Sequence, residues 1–338
     1  MNIKTLAGQL GISVSTVSKA LNDSHEISAE TKKKVLELAT QLNYTPNAYA
    51  GSLRNKKSNN IAVVLPEVAD SFFSQAINGI ESVAQEKGYH VIVYLTHEKV
   101  HKEQSILGDF RSGRVDGVLM SVSGETTSYD HIRRLCDKNI PLVFFDRVIE
   151  GIAAARVITD DFESAYKATT QLLAKGCKHL AFLSLSDKLA IINYRLEGFK
   201  KALADAGILF DANMLVNCSS DEQQTQHALK ELLARTDRPD GVLASAEKPA
   251  TDIYSVCNEI GLCIPGDLKV IAFSSMQIAA LLHPPLSTVT QPAFEMGRLS
   301  AALLFKALEK SNFKLENERI VVPSVFFERG SSAVALSS

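Results

Sequence analysis

Residues 5–22, TLAGQLGISVSTVSKALN, predict two short helices joined by a tight turn. Leu6 and Leu10 give the first helix an apolar stripe. Gly11 follows, and glycine readily takes the positive φ that a tight turn requires. Ser13 is a favourable N-cap residue, so we expect the second helix to begin directly after it.

The spacing of small and apolar residues within this stretch matches a helix-turn-helix. Ala7 has no bulk where two helices cross, and Val17 fills the angle between the helices. The exposed face of the second helix carries short hydrogen-bonding groups and one cation, which suit base edges and phosphates. These residues are Ser15, Thr16, Ser18 and Lys19. The pattern therefore predicts DNA binding, and a purely structural helical hairpin is the alternative.

A third helix is predicted from Ser28 to about Leu42, and a linker follows it. Pro46 suits the first position of a short linker helix. That helix contains Gly51, which costs about 1 kcal/mol, and helix nucleation is itself unfavourable, so we expect it to be mostly unfolded alone in water. An exposed leucine and a basic cluster end the linker: Leu53, Arg54, Lys56 and Lys57.

Charge is divided unevenly along the chain. Residues 1–60 hold eight basic and four acidic side chains, a net charge of +4, whereas the whole chain carries −2, which leaves −6 for the remainder. A basic N-terminal segment followed by an acidic remainder predicts that the N-terminal segment binds a polyanion. Ordinary scatter of surface charge is the alternative explanation.

Length and composition restrict the class of protein. The 338 residues predict two or three domains, and 46% apolar with 22% charged residues is typical of globular chains rather than disordered ones. No apolar run is long enough to span a membrane and the N-terminus lacks the features of a signal peptide, which favours the cytoplasm. Five scattered cysteines without a C-x-x-C predict neither a disulfide framework nor a zinc ribbon.

From residue 60 onward, apolar strand sequences alternate with amphipathic helices. One series contains IAVVLP, VIVYL, GVLMS and PLVFFD, and a second contains LAFLSL, NMLVN, GVLAS and KVIAFS. The chain then returns through STVTQP and a long helix to RIVV and SVFF. This alternation predicts an α/β fold of doubly wound parallel sheets in two lobes. Ligands of open α/β sheets bind beyond the carboxyl ends of the strands, so we expect a small-molecule site there.

One motif favours catalysis. Residues 97–101, HEKVH, match the H-E-x-x-H pattern of zinc-dependent proteases. His97 comes shortly after the strand sequence VIVYL, so the segment straddles a strand end and a helix start, and no third ligand is evident. The sequence also contains no phosphate-binding glycine loop, dinucleotide fingerprint or G-x-S-x-G. We therefore interpret the motif as solvated loop sequence and predict no catalytic residue, metal or cofactor.

Three stretches together resemble the LacI/GalR family of bacterial transcription regulators: TLAGQLGISVSTVSKALN, LNYTPNAYAGSLR and IAVVLPEVADSFF. The resemblance extends over essentially the whole chain. It implies a helix-turn-helix DNA-binding domain over 1–45, a hinge helix and linker over 46–59, and an effector-binding, dimerising body over 60–338. The body should have two lobes like those of periplasmic sugar-binding proteins, lobe 1 over about 60–159 and 291–325 and lobe 2 over about 160–288.

The resemblance also implies roles in DNA binding. Val14, Ser15 and Lys19 match positions that read bases in the major groove, whereas Thr16, Ser18 and Asn22 match positions that face phosphates. Leu53 matches a leucine that both subunits wedge into the minor groove when the hinge helix folds on the operator, and Arg54 and Lys56 follow it. A longer polar residue is usual at the position of Gly51, so this glycine lowers the expected stability of the hinge helix.

An effector site at the strand ends is implied by the same resemblance. The residues that match effector contacts are Phe72, Phe73, Asp146, Arg195 and Gln291. Packing is the alternative role for the two phenylalanines, and ion pairing is the alternative for Asp146 and Arg195. Other positions depart from the family: Ser220 stands where an aromatic residue is expected, Ala246 and Glu247 replace an asparagine-aspartate pair, and Ser274 replaces an aspartate.

These departures predict an unusual effector. A monosaccharide is usually held by carboxylate and amide groups that bind neighbouring hydroxyls, and three such contacts are missing. Arg195 is retained, and arginine can bind a carboxylate or phosphate bidentately. The sequence therefore favours an oligosaccharide fragment or an anionic metabolite as the effector.

Two functions remain open: an effector-controlled transcription regulator, expected to be a repressor, and a small-molecule-binding or catalytic α/β protein with an incidental helical head. A basic helix-turn-helix joined to a marginal hinge favours the regulator. We expect a homodimer on a pseudo-palindromic operator, because one recognition helix reads few base pairs. The chain stops at SSAVALSS without leucine heptads, which favours a dimer over a tetramer.

Overall fold

The computed structural model describes residues 2–44, 57–110, 112–218, 221–310 and 312–333. It comprises two compact units, an N-terminal head (Met1–Ser58) and a body (Asn59–Ser338). No helix within the described residues is both long enough and apolar enough to cross a membrane.

The described part of the head forms three helices: α1 (Ile3–Leu10), α2 (Val14–Leu21) and α3 (Ala29–Gln41). Gly11 ends α1 in the left-handed conformation, with φ 63°. Ser13 caps α2 by accepting a hydrogen bond from Thr16 N, which satisfies a backbone amide that has no partner within the helix. Ser28 caps α3 in the same way. The predicted helix boundaries are confirmed at these positions.

The core of the head lies where its helices meet. Its fully buried members are Leu6, Ala7, Val17, Ala20, Val35 and Ala39. Ala7 is 5% exposed and Val17 is completely buried, as the helix-turn-helix spacing predicted. This packing turns the opposite face of α2, with Val14 and Ser15, toward solvent.

Two series of strands and helices build the body. The first series is β1 (Asn60–Leu65), α4 (Ser71–Glu86), β2 (His90–Leu95), α5 (Val100–Phe110), β3 (Gly117–Met120), α6 (Asp130–Cys136), β4 (Leu142–Phe145) and β5 (Ala155–Thr159). The second is α7 (Asp161–Ala174), β6 (Leu180–Ser184), α8 (Ala190–Asp205), β7 (Leu215–Asn217), α9 (Glu222–Leu233), β8 (Gly241–Ala244), α10 (Glu247–Ile260), β9 (Lys269–Phe273) and β10 (Ser287–Thr290). Three elements complete the chain: α11 (Ala293–Glu309), β11 (Arg319–Val322) and β12 (Val325–Phe327).

The strands form two six-stranded sheets, one in each lobe. The first has the order β11-β5-β4-β3-β1-β2 and is entirely parallel, and the second has the order β12-β10-β9-β8-β6-β7. In the second sheet only the β12–β10 pair is antiparallel among the described strands. β12, which lies outside the predicted bounds of the second lobe, pairs antiparallel with β10.

The central strands of each sheet are buried on both faces. In β1, Ile61, Val63 and Leu65 pack on one side, while Ala62 and Val64 pack on the other. The second sheet likewise separates two apolar clusters. This burial explains why the strands appear in the sequence as continuous apolar runs, as is usual for parallel sheets covered by helices.

Glycines permit close helix crossings in both lobes. A Cβ on Gly79 of α4 would lie 2.0 Å from the backbone oxygen of Phe294, and one on Gly297 of α11 would lie 2.1 Å from the oxygen of Ala76. Gly198 of α8 has the same relation to α7 in the second lobe. These close approaches set the distance between α4 and α11 in the first lobe and between α7 and α8 in the second.

Candidate functional site

A cavity lies between the two lobes of the body. Its lining follows the carboxyl ends of β1, β4, β6, β8, β9 and β10, the location that the fold class predicts. Eight residues proposed from the sequence line it: Phe72, Phe73, Asp146, Arg195, Ala246, Glu247, Ser274 and Gln291. Ser220, the ninth, lies outside the described residues.

The cavity has further lining residues that the sequence reasoning missed. They are Asp70, Arg147, Leu185, Leu189, Ile191, Ile192, Phe273 and Ser275. Two of them carried a local signal that could have found them, because aspartate is a favoured N-cap and Asp70 directly precedes α4, and because Arg147 directly follows Asp146 at a strand end.

Arg195, on α8, is only 3% exposed. Its Nε donates to Asp161 Oδ1 at 2.7 Å and its Nη1 donates to the Ser245 oxygen at 2.6 Å. The guanidinium also stacks on Phe273, with its central carbon 4.0 Å from the ring centroid. Nη2 has no hydrogen-bond partner among the described residues. Arg195 therefore makes the structural ion pair considered as its alternative role and also lines the cavity.

Asp146 lies directly beyond β4 with φ 60°, a left-handed conformation that is uncommon for residues other than glycine. Gln291 Nε2 donates to its Oδ1 at 3.2 Å. Arg147 Nε lies 3.9 Å from its Oδ2, so the alternative ion pair for Asp146 is present as well. Burial raises the pKa of Asp146, an effect that the neighbouring arginines oppose. Backbone strain of this kind persists where the surroundings hold it, often in functional sites.

The HEKVH segment occupies a turn and the start of a helix. His97 and Glu98 have φ of 51° and 62°, and α5 begins only at Val100. Glu98 accepts hydrogen bonds from Arg147 Nη1 at 2.7 and 3.0 Å and from Gly124 N at 2.6 Å. Glu98 is thus the counter-ion of a cavity residue, which supports the loop interpretation. Over the described ranges, no group of three or more His, Cys, Asp or Glu residues could hold a metal.

Glu247 supplies a carboxylate near the position where the family has an aspartate. Its Oε1 accepts hydrogen bonds from Ser274 Oγ at 3.2 Å and from Ser275 N at 2.8 Å. Asp70 adds a further carboxyl group, and burial together with the charge of Glu247 raises its pKa to about 7. The expectation that the cavity had lost its carboxylates is therefore wrong, because side chains from neighbouring positions provide them.

The two phenylalanines at the start of α4 serve packing and lining together. The rings of Phe72 and Phe73 meet edge to face with centroids 5.3 Å apart, and both belong to the apolar core of the first lobe. The Arg147 guanidinium lies over the Phe73 ring at 5.7 Å. The cavity therefore has an apolar wall beside its charged groups.

In the head, the proposed DNA-contacting residues lie on or directly after α2. Val14 is 39% exposed, Ser15 and Asn22 are also exposed, and Thr16, Ser18 and Lys19 are half-buried. Lys19 Nζ forms an ion pair with Glu26. Leu53, Arg54 and Lys56, like Gly51 and most of the predicted hinge helix, lie outside the described residues.

Two family models match the chain. Residues 2–47 match bacterial regulatory proteins of the lacI family, and residues 58–329 match periplasmic binding proteins and the sugar binding domain of the LacI family. The ribose operon repressor of Bacillus subtilis is 31% identical over 327 residues, which cover 97% of each chain.

Solved structures agree with this match. The lac repressor dimer bound to operator and the anti-inducer ONPF superposes with a TM-score of 0.85 at 22% identity, covering 98% of this chain and 99% of that one. A LacI family regulator of Enterococcus faecium with bound ribose has a TM-score of 0.73 at 26% identity, covering 82% of this chain and 100% of that one. The head, the two-lobed body and these matches together show that the chain belongs to the LacI family of bacterial regulatory proteins, DNA-binding transcription regulators with an effector-binding domain.

Proposed function

We propose that the chain is a homodimeric repressor that binds a pseudo-palindromic operator in the cytoplasm and is controlled by an uncharged carbohydrate. No catalytic step is assigned to it. The observation that carries the effector class is the combination of unpaired buried donors and carboxylate acceptors in one cavity between the lobes.

Carbohydrate recognition needs donors and acceptors side by side, because each hydroxyl both donates and accepts. Arg195 Nη2 and Arg147 Nε are buried nitrogens without a hydrogen-bond partner among the described residues, and an unpaired buried donor is costly. The carboxyl groups of Asp70, Asp146 and Glu247 line the same cavity. Hydroxyl groups of a bound sugar would accept hydrogen bonds from the arginine nitrogens and donate hydrogen bonds to the carboxyl groups.

The charges favour the oligosaccharide fragment over the anionic metabolite. Arg195 is paired with Asp161 at 2.7 Å, and Arg147 is paired with Glu98 at 2.7 Å. An anionic ligand would therefore meet guanidinium groups that already have counter-ions, together with the carboxyl groups of the lining.

A thermal-shift experiment on the full chain tests the ligand class. Ribose and cellobiose serve as uncharged probes, and ribose 5-phosphate serves as the anionic probe. We expect an uncharged probe to raise Tm, and we expect Asp146→Ala to abolish that shift while Asp187→Asn, at an exposed position, keeps it. Stabilisation by the phosphate alone would contradict the assignment.

For DNA binding, the proposal assigns base contacts to Val14, Ser15 and Lys19. Phosphate contacts are assigned to Thr16, Ser18 and Asn22. Capping of α2 by Ser13 supports this arrangement, since it fixes the start of the helix that carries all the base-contacting residues. The minor-groove roles of Leu53, Arg54 and Lys56 remain predictions from the sequence.

A further inference from the structure

Glu247 joins the two lobes. It is the first residue of α10 in the second lobe, and its Oε2 accepts a hydrogen bond from the backbone N of Ser71, the first residue of α4 in the first lobe, at 3.1 Å. Its other oxygen stays within its own lobe, on Ser274 and Ser275. One carboxylate therefore spans the cavity.

Two further features support this contact. Ser71 N lies in the first turn of a 16-residue helix, where amides lack partners within the helix and the helix dipole favours negative charge. Gln75, one turn further along α4, donates from Nε2 to the Ser275 oxygen at 2.8 Å. The same two segments are thus joined twice across the cavity.

Asp70 lies next to this contact. It caps α4 by accepting a hydrogen bond from Phe72 N at 2.8 Å. Burial and the charge of Glu247 raise its pKa to about 7, and the other charged groups that act on it are Asp146, which raises the pKa, and Arg147, which lowers it. Near neutral pH, a proton on Asp70 therefore determines whether two negative charges face each other across the cavity.

We propose that Glu247 latches the two lobes together by direct contact and that Asp70 makes this latch proton-dependent. The latch deepens the proposed function, since closure of the lobes is the event that an effector would control. When the lobes separate, Asp70 gains solvent and moves away from Glu247, so its pKa falls toward the usual range for aspartate. The closed state thus binds a proton that the open state releases.

Closure of the two lobes should therefore depend on pH. The pKa of Asp70 is raised in the closed state, so closure is most favourable at acidic pH and is weakened as pH rises through about 7. A pKa of about 7 in the closed state and a usual pKa in the open state make the closed-to-open ratio about tenfold larger at pH 6 than at pH 8.

Amide hydrogen exchange of the full chain, without DNA or effector, tests the latch. The amide of Ser71 is protected by Glu247 when the lobes are closed, so its protection factor, relative to the unfolded chain at the same pH, reports closure. We expect about tenfold more protection at pH 6 than at pH 8. In the Asp70→Asn variant, which mimics the protonated carboxyl group, the Ser71 amide should be protected equally at both pH values. In the Glu247→Ala variant, the Ser71 amide should lose its protection at both pH values.

Asp187→Asn, an exposed substitution in the second lobe, should retain the wild-type pH dependence. Equal wild-type protection at pH 6 and pH 8, or full protection in Glu247→Ala, would overturn the latch. The comparison of wild-type protection at pH 6 and pH 8 tests the latch by itself, even where a variant fails to fold. Failure of the latch would leave DNA and effector binding untouched, and those are measured separately.

Discussion

The ion pair between Lys19 and Glu26 holds a proposed base-reading cation on a carboxylate of the same unit. Glu26→Gln should free Lys19 and remove a negative charge from the proposed DNA-facing side, so we expect operator binding to tighten by up to about 1 kcal/mol. Lys19→Ala should weaken it by about 1–3 kcal/mol and relax base preference. Fluorescence anisotropy on operator and random duplexes measures both effects.

The matched control for this pair is Glu37→Gln, because Glu37 also faces a lysine, Lys33, at 4.0 Å, but on α3. We expect little change in operator affinity from this variant. Equal effects of Glu26→Gln and Glu37→Gln would show that only overall charge matters, and would remove the specific role given to Lys19.

Arg195 combines a structural role with a proposed ligand-binding role in one side chain. Arg195→Ala would leave Asp161 buried without its cation and Phe273 without the stacked guanidinium, so we expect the free energy of unfolding to fall by about 3–5 kcal/mol. Lys200→Ala, on the solvent side of the same helix, should cost less than about 1 kcal/mol. Urea denaturation followed by circular dichroism compares the two, and equal losses would contradict the buried ion pair.

At the scale of elements, the crossing of α4 and α11 depends on paired glycines. Gly79→Ala would place a Cβ 2.0 Å from a backbone oxygen, so the helices must separate, and we expect a loss of at least about 1–3 kcal/mol. Gly108→Ala, inside α5 and with nothing within 4 Å of its Cβ, should instead stabilise by up to about 1 kcal/mol. Thermal unfolding of both variants tests this, and a Gly79→Ala variant as stable as wild type would refute the close crossing.

Local signals predicted the elements well. Gly11 and Ser13 set helix boundaries through their own backbone preferences, and the apolar runs predicted strands because both sheet faces are buried. Contacts between distant residues could not be predicted in this way. Glu247 meets Ser71, which is 176 residues away, so the sequence alone suggested a lost carboxylate where the fold supplies one.

The cavity residues likewise divide into those that the sequence predicted and those that depend on contacts between distant residues. Position-by-position resemblance brought together eight lining residues, because strand ends are fixed by the fold. It missed Arg147 and its partner Glu98, which are 49 residues apart and meet only through the turn before α5. By contrast, the position of HEKVH directly after the strand sequence VIVYL predicts a loop rather than a metal site, and His97 and Glu98 lie in a turn before α5.

At the scale of the whole molecule, we expect two-fold symmetry to relate the protein to its operator. One α2 helix contacts too few base pairs for high specificity, so we expect two copies to bind paired half-sites. Sedimentation equilibrium at micromolar concentration should give a dimer. A monomer or a tetramer would contradict this assembly.

We expect the chain to read a specific, two-fold symmetric DNA sequence. Selection of binding sites from a pool of random duplexes by the full-length protein tests it directly, with Lys19→Ala as the matched comparison. We predict enrichment of one inverted repeat by the wild type and relaxed preference at defined positions of each half-site with Lys19→Ala. Recovery of no enriched sequence, or of an asymmetric single site, would contradict specific, two-fold symmetric recognition of DNA.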